Sequence, residues 1–312
     1  MPKITKSNEF TIGAYEPVTV TQMGHLVEVQ HMQHKNTKAH IRKIDKDTYV
    51  ELATGEIKEF KKSETRGDNF NSLRQTFKKM RYLINNNFTG AANELFVTLT
   101  YRGELQTNDH KRVGKDYYRF MKRLKRAYGH IEAIKVLEPH ASGNYHMHVL
   151  MRFEDHKSIF IPNNVDKATG KAINAPLYNL WGGGFVTIKG TSEIDNVGAY
   201  LTAYLTDIEI TPENVLQVVK PGEVVEIKEV DGKKYVKGGR LKFYKPGVNI
   251  FTKTRGLKYP ERQHMDYEDI KKIVGAATPN YQVSFDISDE DTQFHNTISY
   301  EQYNLKRPQM EQ

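Results

Sequence analysis

The chain has 312 residues, no cysteine, and 46 lysines plus arginines against 38 aspartates plus glutamates, giving a formal net charge of +8 and a pI near 9.2. The missing thiols exclude disulfide frameworks, thiolate metal sites and thiol catalysis, so any metal must sit on imidazole, carboxylate or carbonyl groups. Hydrophobic residues at 38% and charged residues at 27% support a buried core, and the surplus of base suits an anionic partner such as nucleic acid.

The opening MPKITKSNEFTIG has no apolar leader core, and no stretch approaches the roughly 18 apolar residues of a membrane span. The expectation is a soluble, cytoplasmic protein with no membrane partner. Residues 1–65 alternate in short runs, HLVEVQHM and then IRKIDKDTYVELATGEIKEF, with turns at Asp47 and Gly55, and read as a β-rich segment. From Asp68 to Phe88 the period changes: Leu73, Phe77, Met80 and Ile84 fall at helical spacing, with Arg74, Lys78, Lys79 and Arg81 on the outer face.

LFVTLTY (95–101) alternates and is β-branched, which predicts a strand. A second amphipathic helix follows. Tyr117, Phe120, Met121, Leu124 and Tyr128 form its apolar face, and eight basic residues accompany the one acidic residue, Asp116, between Lys111 and Arg126. IEAIKVLE (131–138) and YHMHVLMRF (145–153) are two strands joined by PHASGN, a loop short enough for a hairpin. Residues 154–180 read as irregular, with DKATGK an exposed tip. After Trp181 and three glycines come the strand FVTIKG and the helix TSEIDNVGAYLTAYLTD, capped by Thr191 or Ser192 and apolar along Ile194, Val197, Leu201 and Leu205. Strands joined partly by hairpins, with helices on one face, predict an α+β fold around a central antiparallel sheet. Beyond Glu209 the readable signals are a hairpin with a type I′ turn at Asp231-Gly232, a basic run from Arg240 to Arg262, and a tail carrying Asp286, Asp289, Glu290 and Asp291 without basic neighbours.

His146 and His148 share one face of their strand because alternate residues point the same way. A bare His-x-His is common in half-buried strands, but here the hairpin adds to it. If the turn centres on Ser142, Glu138 lies opposite His146 on the same sheet face, with Cβ atoms about 5 Å apart. A one-residue slip would remove it, and His140 in the loop is the alternative third ligand. Two nitrogens and one carboxylate with open positions suit a divalent Mn²⁺ or Mg²⁺ holding a phosphate, which the ion would polarise as a Lewis acid.

Tyr200 and Tyr204 lie one helical turn apart, about 120° and about 80° from the centre of the apolar face, so Tyr200 is the more accessible phenol. Isolated tyrosine pairs are mostly packing residues. A phosphodiester held on a divalent ion changes that reading, because it is an electrophile a phenol can attack. Metal on a sheet, tyrosine on a helix and base-rich helices together describe a DNA strand-transfer site.

These motifs resemble those of the HUH endonucleases, specifically the two-tyrosine replication initiators of rolling-circle plasmids of Gram-positive bacteria and of single-stranded DNA phages. FVTLTY looks like the first motif, YHMHVLM like the His-hydrophobic-His motif, and YLTAY like the tyrosine motif, in the same order over 95–207. The resemblance implies an enzyme: a metal on His146, His148 and Glu138, attack on the scissile phosphate by Tyr200 or Tyr204, a 5′-phosphotyrosine, and a free 3′-OH. It also implies binding to a double-stranded origin and its exposed single strand in a bacterial host, with a host polymerase. No phosphate-binding loop of a fused helicase is present, so a host helicase is expected. Relatives often carry Lys three residues after the tyrosine, where this chain has Ala203 and Asp207. Lys78 and Arg81 on the first helix, and Lys115, Arg119, Lys122, Arg123 and Arg126 on the second, are the expected DNA contacts. The expected organisation is 1–65, a nicking domain at 66–208, and an accessory region at 209–312. A conjugative relaxase or HUH transposase would share the chemistry, and a non-catalytic DNA-binding regulator would keep only the fold.

Overall fold

The elements that matter for the site are α1 (Phe70–Asn87), β1 (Glu94–Leu99), α2 (His110–Tyr128), β2 (Ile131–Pro139), β3 (Tyr145–Phe153), α3 (Ala175–Trp181), β4 (Val186–Gly190), α4 (Val197–Thr206) and β5 (Phe251–Lys253). They come from a computed structural model that describes residues 3–7, 10, 12–35, 39–60, 70–162, 164–165, 170, 172–192, 194–212, 214–219, 225–230, 232–289 and 294–306. The expected helix start at Asp68, Asp231 of the hairpin turn, nearly all of the DKATGK tip, Glu290, Asp291 and the Tyr204 side chain lie outside the described residues.

The five strands form one antiparallel sheet in the order β4-β1-β3-β2-β5. The sheet is apolar on both faces, for a reason visible strand by strand. Leu95, Val97, Leu99, Met147, Val149 and Met151 pack under Val113, Phe120, Met121 and Leu124 of α2 and Leu177 and Trp181 of α3. On the other face Phe96, Ile134, Val136 and Leu150 pack under Leu73, Phe77, Met80 and Ile84 of α1 and Val197, Leu201 and Leu205 of α4. The alternation in the sequence predicts helices on one face and an open histidine face. The structure corrects this, because alternate positions of β2 and β3 carry Ile134, Val136 and Leu150 beside the polar residues, and these need cover.

Local chemistry sets the helix ends. Asp109 caps α2 by accepting from the Lys111 N–H at 2.8 Å. Asn196, rather than Thr191 or Ser192, caps α4 by accepting from the Ala199 N–H at 2.8 Å. Within the stretch read as irregular, Asn174 caps α3 at Leu177 N and Pro176 opens its first turn, while Gly182 closes it in the left-handed region at φ +68.

Gly198 lets α4 approach α1. Its N–H donates to Asn85 Oδ1 at 2.8 Å, and an added Cβ would lie 2.6 Å from that oxygen and 2.7 Å from the Arg81 carbonyl. Gly198→Ala is therefore expected to lower stability by about 1–3 kcal/mol, the usual cost of overpacking. The effect should appear as a lower urea midpoint at unchanged slope; an unchanged midpoint would show that the two helices separate freely.

The chain divides into two units, residues 64–259 and residues 1–63 with 260–312. The region expected at 209–312 is thus split, because β5 pairs with β2 and Tyr244, Ile250 and Leu257 join the core under α1 and α4. In the other unit a six-stranded antiparallel sheet runs in the order Lys3–Lys6, Tyr281–Asp289, Phe294–Asn304, Leu26–Met32, Pro17–Met23, Arg262–Asp266. The segment read as an acidic tail supplies two of these strands, and Asp286 accepts from the Thr297 hydroxyl at 2.8 Å. Residues 41–59 form a separate three-stranded sheet.

Candidate metal centre

The hairpin register places Glu138 opposite His146 and Val136 opposite His148. Glu138, His146 and His148 are all buried, and their ligand atoms lie within 4.8 Å of one another, so this group could hold a metal ion. His146 Nε2 is 2.7 Å from Glu138 Oε2 and 3.0 Å from His148 Nε2, and His148 Nε2 also meets Glu138 Oε2. All three donors converge on one point.

The partners behind the imidazoles explain why the Nε2 atoms face inward. His148 Nδ1 pairs with Thr98 Oγ1 at 3.0 Å, and its ring stacks on Phe96 with centroids 5.3 Å apart. His146 Nδ1 meets His140 Nε2. His140, the alternative third ligand in the sequence reading, therefore stands behind His146, as an orienting partner does at a metal site. Burial, followed by the neighbouring His146, pushes His140 down to about 4, and burial also lowers His148, so both rings favour the neutral form. Burial would raise the Glu138 carboxyl, but the His146 charge and hydrogen bonds from both imidazoles outweigh it and hold it well below the usual range. A neutral His148 imidazole and an ionised Glu138 carboxylate are protonation states that suit a bound cation.

The second oxygen of Glu138 is taken by Arg240, whose side chain is 12% exposed. In the sequence Arg240 is one base of a basic run and carries no predicted role. Its one signal was position, just after a hairpin that returns the chain toward α4.

The tyrosine helix lies on this same face of the sheet. Tyr200 is 39% exposed, which agrees with its expected position away from the apolar stripe of α4. At the end of α4, Asp207 is buried, ion-pairs with Lys228 and accepts from Gly238 N at 2.9 Å and from the Thr206 hydroxyl at 3.1 Å. Asp207, one of the two positions at which the sequence departs from the motif it resembles, is thus engaged at the end of α4.

The expected DNA contacts do not form one surface. Lys115, Arg119, Lys122, Arg123 and Arg126 are exposed on α2, on the sheet face away from the histidines, while Lys78 and Arg81 are half-buried on α1, on the histidine face. Arg112, Arg119 and Arg123 surround a cleft of about 270 Å³ floored by Tyr101 and Trp181, with Asp116 the one carboxylate in it. The loop beyond β1 links this cleft to the metal end of the hairpin, where Tyr145 N donates to Thr107 O at 2.9 Å. Among the described residues no helix is long and apolar enough to cross a membrane.

Residues 94–209 match the family described as Replication-associated protein ORF2/G2P. The matched segment runs from β1 through α4 and contains Glu138, His146, His148, Tyr200 and Tyr204, while α1, Arg240 and β5 lie outside it. The match supports a replication initiator. No curated protein matches the chain.

Proposed function

We propose that the protein is a rolling-circle replication initiator of the HUH type that nicks and rejoins one DNA strand at an origin through a tyrosine ester. The observation that carries this reading is the convergence of Glu138, His146 and His148 on one hairpin, inside the segment similar to replication-associated proteins. The three side chains would hold a divalent ion such as Mn²⁺ or Mg²⁺, and the donor set of two neutral nitrogens and one carboxylate oxygen fits such an ion. Bound there, the ion supplies Lewis-acid polarisation of a phosphoryl oxygen.

Tyr200 carries out the substitution. Its phenol oxygen attacks the scissile phosphorus and releases its proton to solvent; the P–O3′ bond breaks, and the leaving 3′ oxygen takes up a proton. The products are a 5′-phosphotyrosine and a 3′-OH, which a host polymerase would extend after a host helicase opens the duplex. Attack of a 3′-OH on the phosphotyrosine reverses the step, and Tyr204, one turn along α4, would provide the second transfer. The exposed bases of α2 and the arginine cleft would follow the strand by phosphate contacts, giving salt-dependent affinity.

Incubation with single-stranded origin DNA and Mn²⁺ tests this reading. The expected result is a covalent protein–DNA adduct that survives denaturation, leaves a free 3′-OH, and disappears when a chelator is present. Specific binding without any adduct would replace the enzyme by a non-catalytic regulator of the same fold.

A further inference from the structure

Arg240 lies 31 residues beyond the segment that matches the replication-associated family, yet it touches both halves of the candidate site. Its guanidinium ion-pairs with Glu138 Oε1, and Nη1 donates to the Pro139 carbonyl at 3.1 Å. Nε donates to the Asp207 carbonyl at 3.3 Å, and its backbone N–H donates to the Thr206 carbonyl at 3.0 Å. One residue therefore joins the carboxylate-bearing end of β2 to the carbonyl end of α4, where a cation also complements the helix dipole. The two oxygens of Glu138 are divided, Oε1 to Arg240 and Oε2 to the histidine nitrogens.

We propose that Arg240 is a positioning residue that restricts Glu138 to a single-oxygen ligand and so selects the ion. A planar guanidinium holds a carboxylate oxygen by a charge-assisted hydrogen bond and cannot lose its own charge. With Oε1 so engaged, the site offers two nitrogens and one oxygen, enough for a small octahedral ion that keeps water and phosphate oxygens. It lacks the oxygens a Ca²⁺ ion takes, six to eight as a rule, often including a two-oxygen carboxylate. The assignment rests on the metal-centre reading above, and it concerns ion choice rather than DNA chemistry.

The test compares Mn²⁺ and Ca²⁺ binding by calorimetry in the full chain, in Arg240→Met and in Arg240→Lys. Arg240→Met, which frees Oε1, is expected to lower Mn²⁺ affinity roughly tenfold, as loss of an outer-shell partner does, while Ca²⁺ affinity holds or rises. Arg240→Lys keeps the charge and should retain most of the wild-type preference. An equal loss for both ions would mark Arg240 as merely structural and overturn the proposal, as would an unchanged ratio.

A measurement on the unsubstituted protein covers the case in which Arg240→Met does not fold. The infrared carboxylate splitting of Glu138 with Mn²⁺ bound, referenced to Glu138→Gln, should be the wide splitting of one-oxygen ligation. A narrow, two-oxygen splitting overturns the proposal, and so does a wild-type protein that binds no Mn²⁺. Neither measurement uses DNA. A protein that shows the expected ion preference but forms no adduct would refute the strand-transfer reading and leave Arg240 in place.

Discussion

Replacing His148 by Ala is expected to reduce Mn²⁺ affinity at least about a hundredfold, since even outer-shell partners of a metal are worth ten- to a hundredfold. His148 is 1% exposed, packed on Phe96 and fixed through Thr98, so its Nε2 is held in place among the proposed ligands. Glu138→Ala should do the same, and it should also strand Arg240, whose buried charge would lose its counter-ion. In the nicking assay both variants should lose roughly 10³-fold or more, the rate equivalent of about 4 kcal/mol of transition-state charge stabilisation. Thr98→Val provides the graded control: it removes only the partner of His148 Nδ1 and should cost less than the ligand itself. Binding titration with Mn²⁺ and single-turnover cleavage give the two readouts. Full nicking by folded His148→Ala would remove the proposed centre.

The second large effect concerns the proposed nucleophile. Tyr200→Phe keeps the ring and its packing on α4 but deletes the attacking oxygen, so the adduct should vanish and cleavage fall at least ~10³-fold, as loss of a nucleophile does elsewhere. Mn²⁺ affinity should stay at the wild-type value, because the ligands lie on β2 and β3. Tyr204→Phe should keep the first adduct and lose the rejoining of a second strand. Peptide mapping of the adduct assigns the tyrosine directly. Full adduct formation by Tyr200→Phe, with the label on Tyr204, would exchange their roles.

Much of this site was legible because a strand repeats every two residues. The alternation in YHMHVLMRF put both histidines on one face, and a five-residue loop centred on Ser142 fixed the register that sets Glu138 against His146. The same period misled about cover. His146 and His148 suggested an open face, whereas Ile134, Val136 and Leu150 beside them demand α1 and α4. Signals too short to stand out were missed. Phe251–Lys253 has three residues, and its partner in β2 lies more than a hundred positions earlier, so pairing rather than local propensity makes it a strand. Arg240 was lost in a basic run because only the folded chain brings it to Glu138. The alternating Val283, Phe285 and Ile287 was overlooked in favour of the aspartates around it.

The late edge strand also has a consequence for timing during synthesis. When Glu209 is joined to the growing chain, every proposed ligand and both tyrosines have been made, but the 44 residues from Ile210 to Lys253 are still to be added. Those residues carry Arg240, the Tyr244 side chain that packs beneath α4, and the strand that closes the sheet beside β2. At about 5–20 residues per second they take roughly 2–9 s to translate. A nascent chain thus passes through a stage in which the chemical groups exist without the frame that aligns them. The proposed competence to cut DNA would be deferred until that frame is complete.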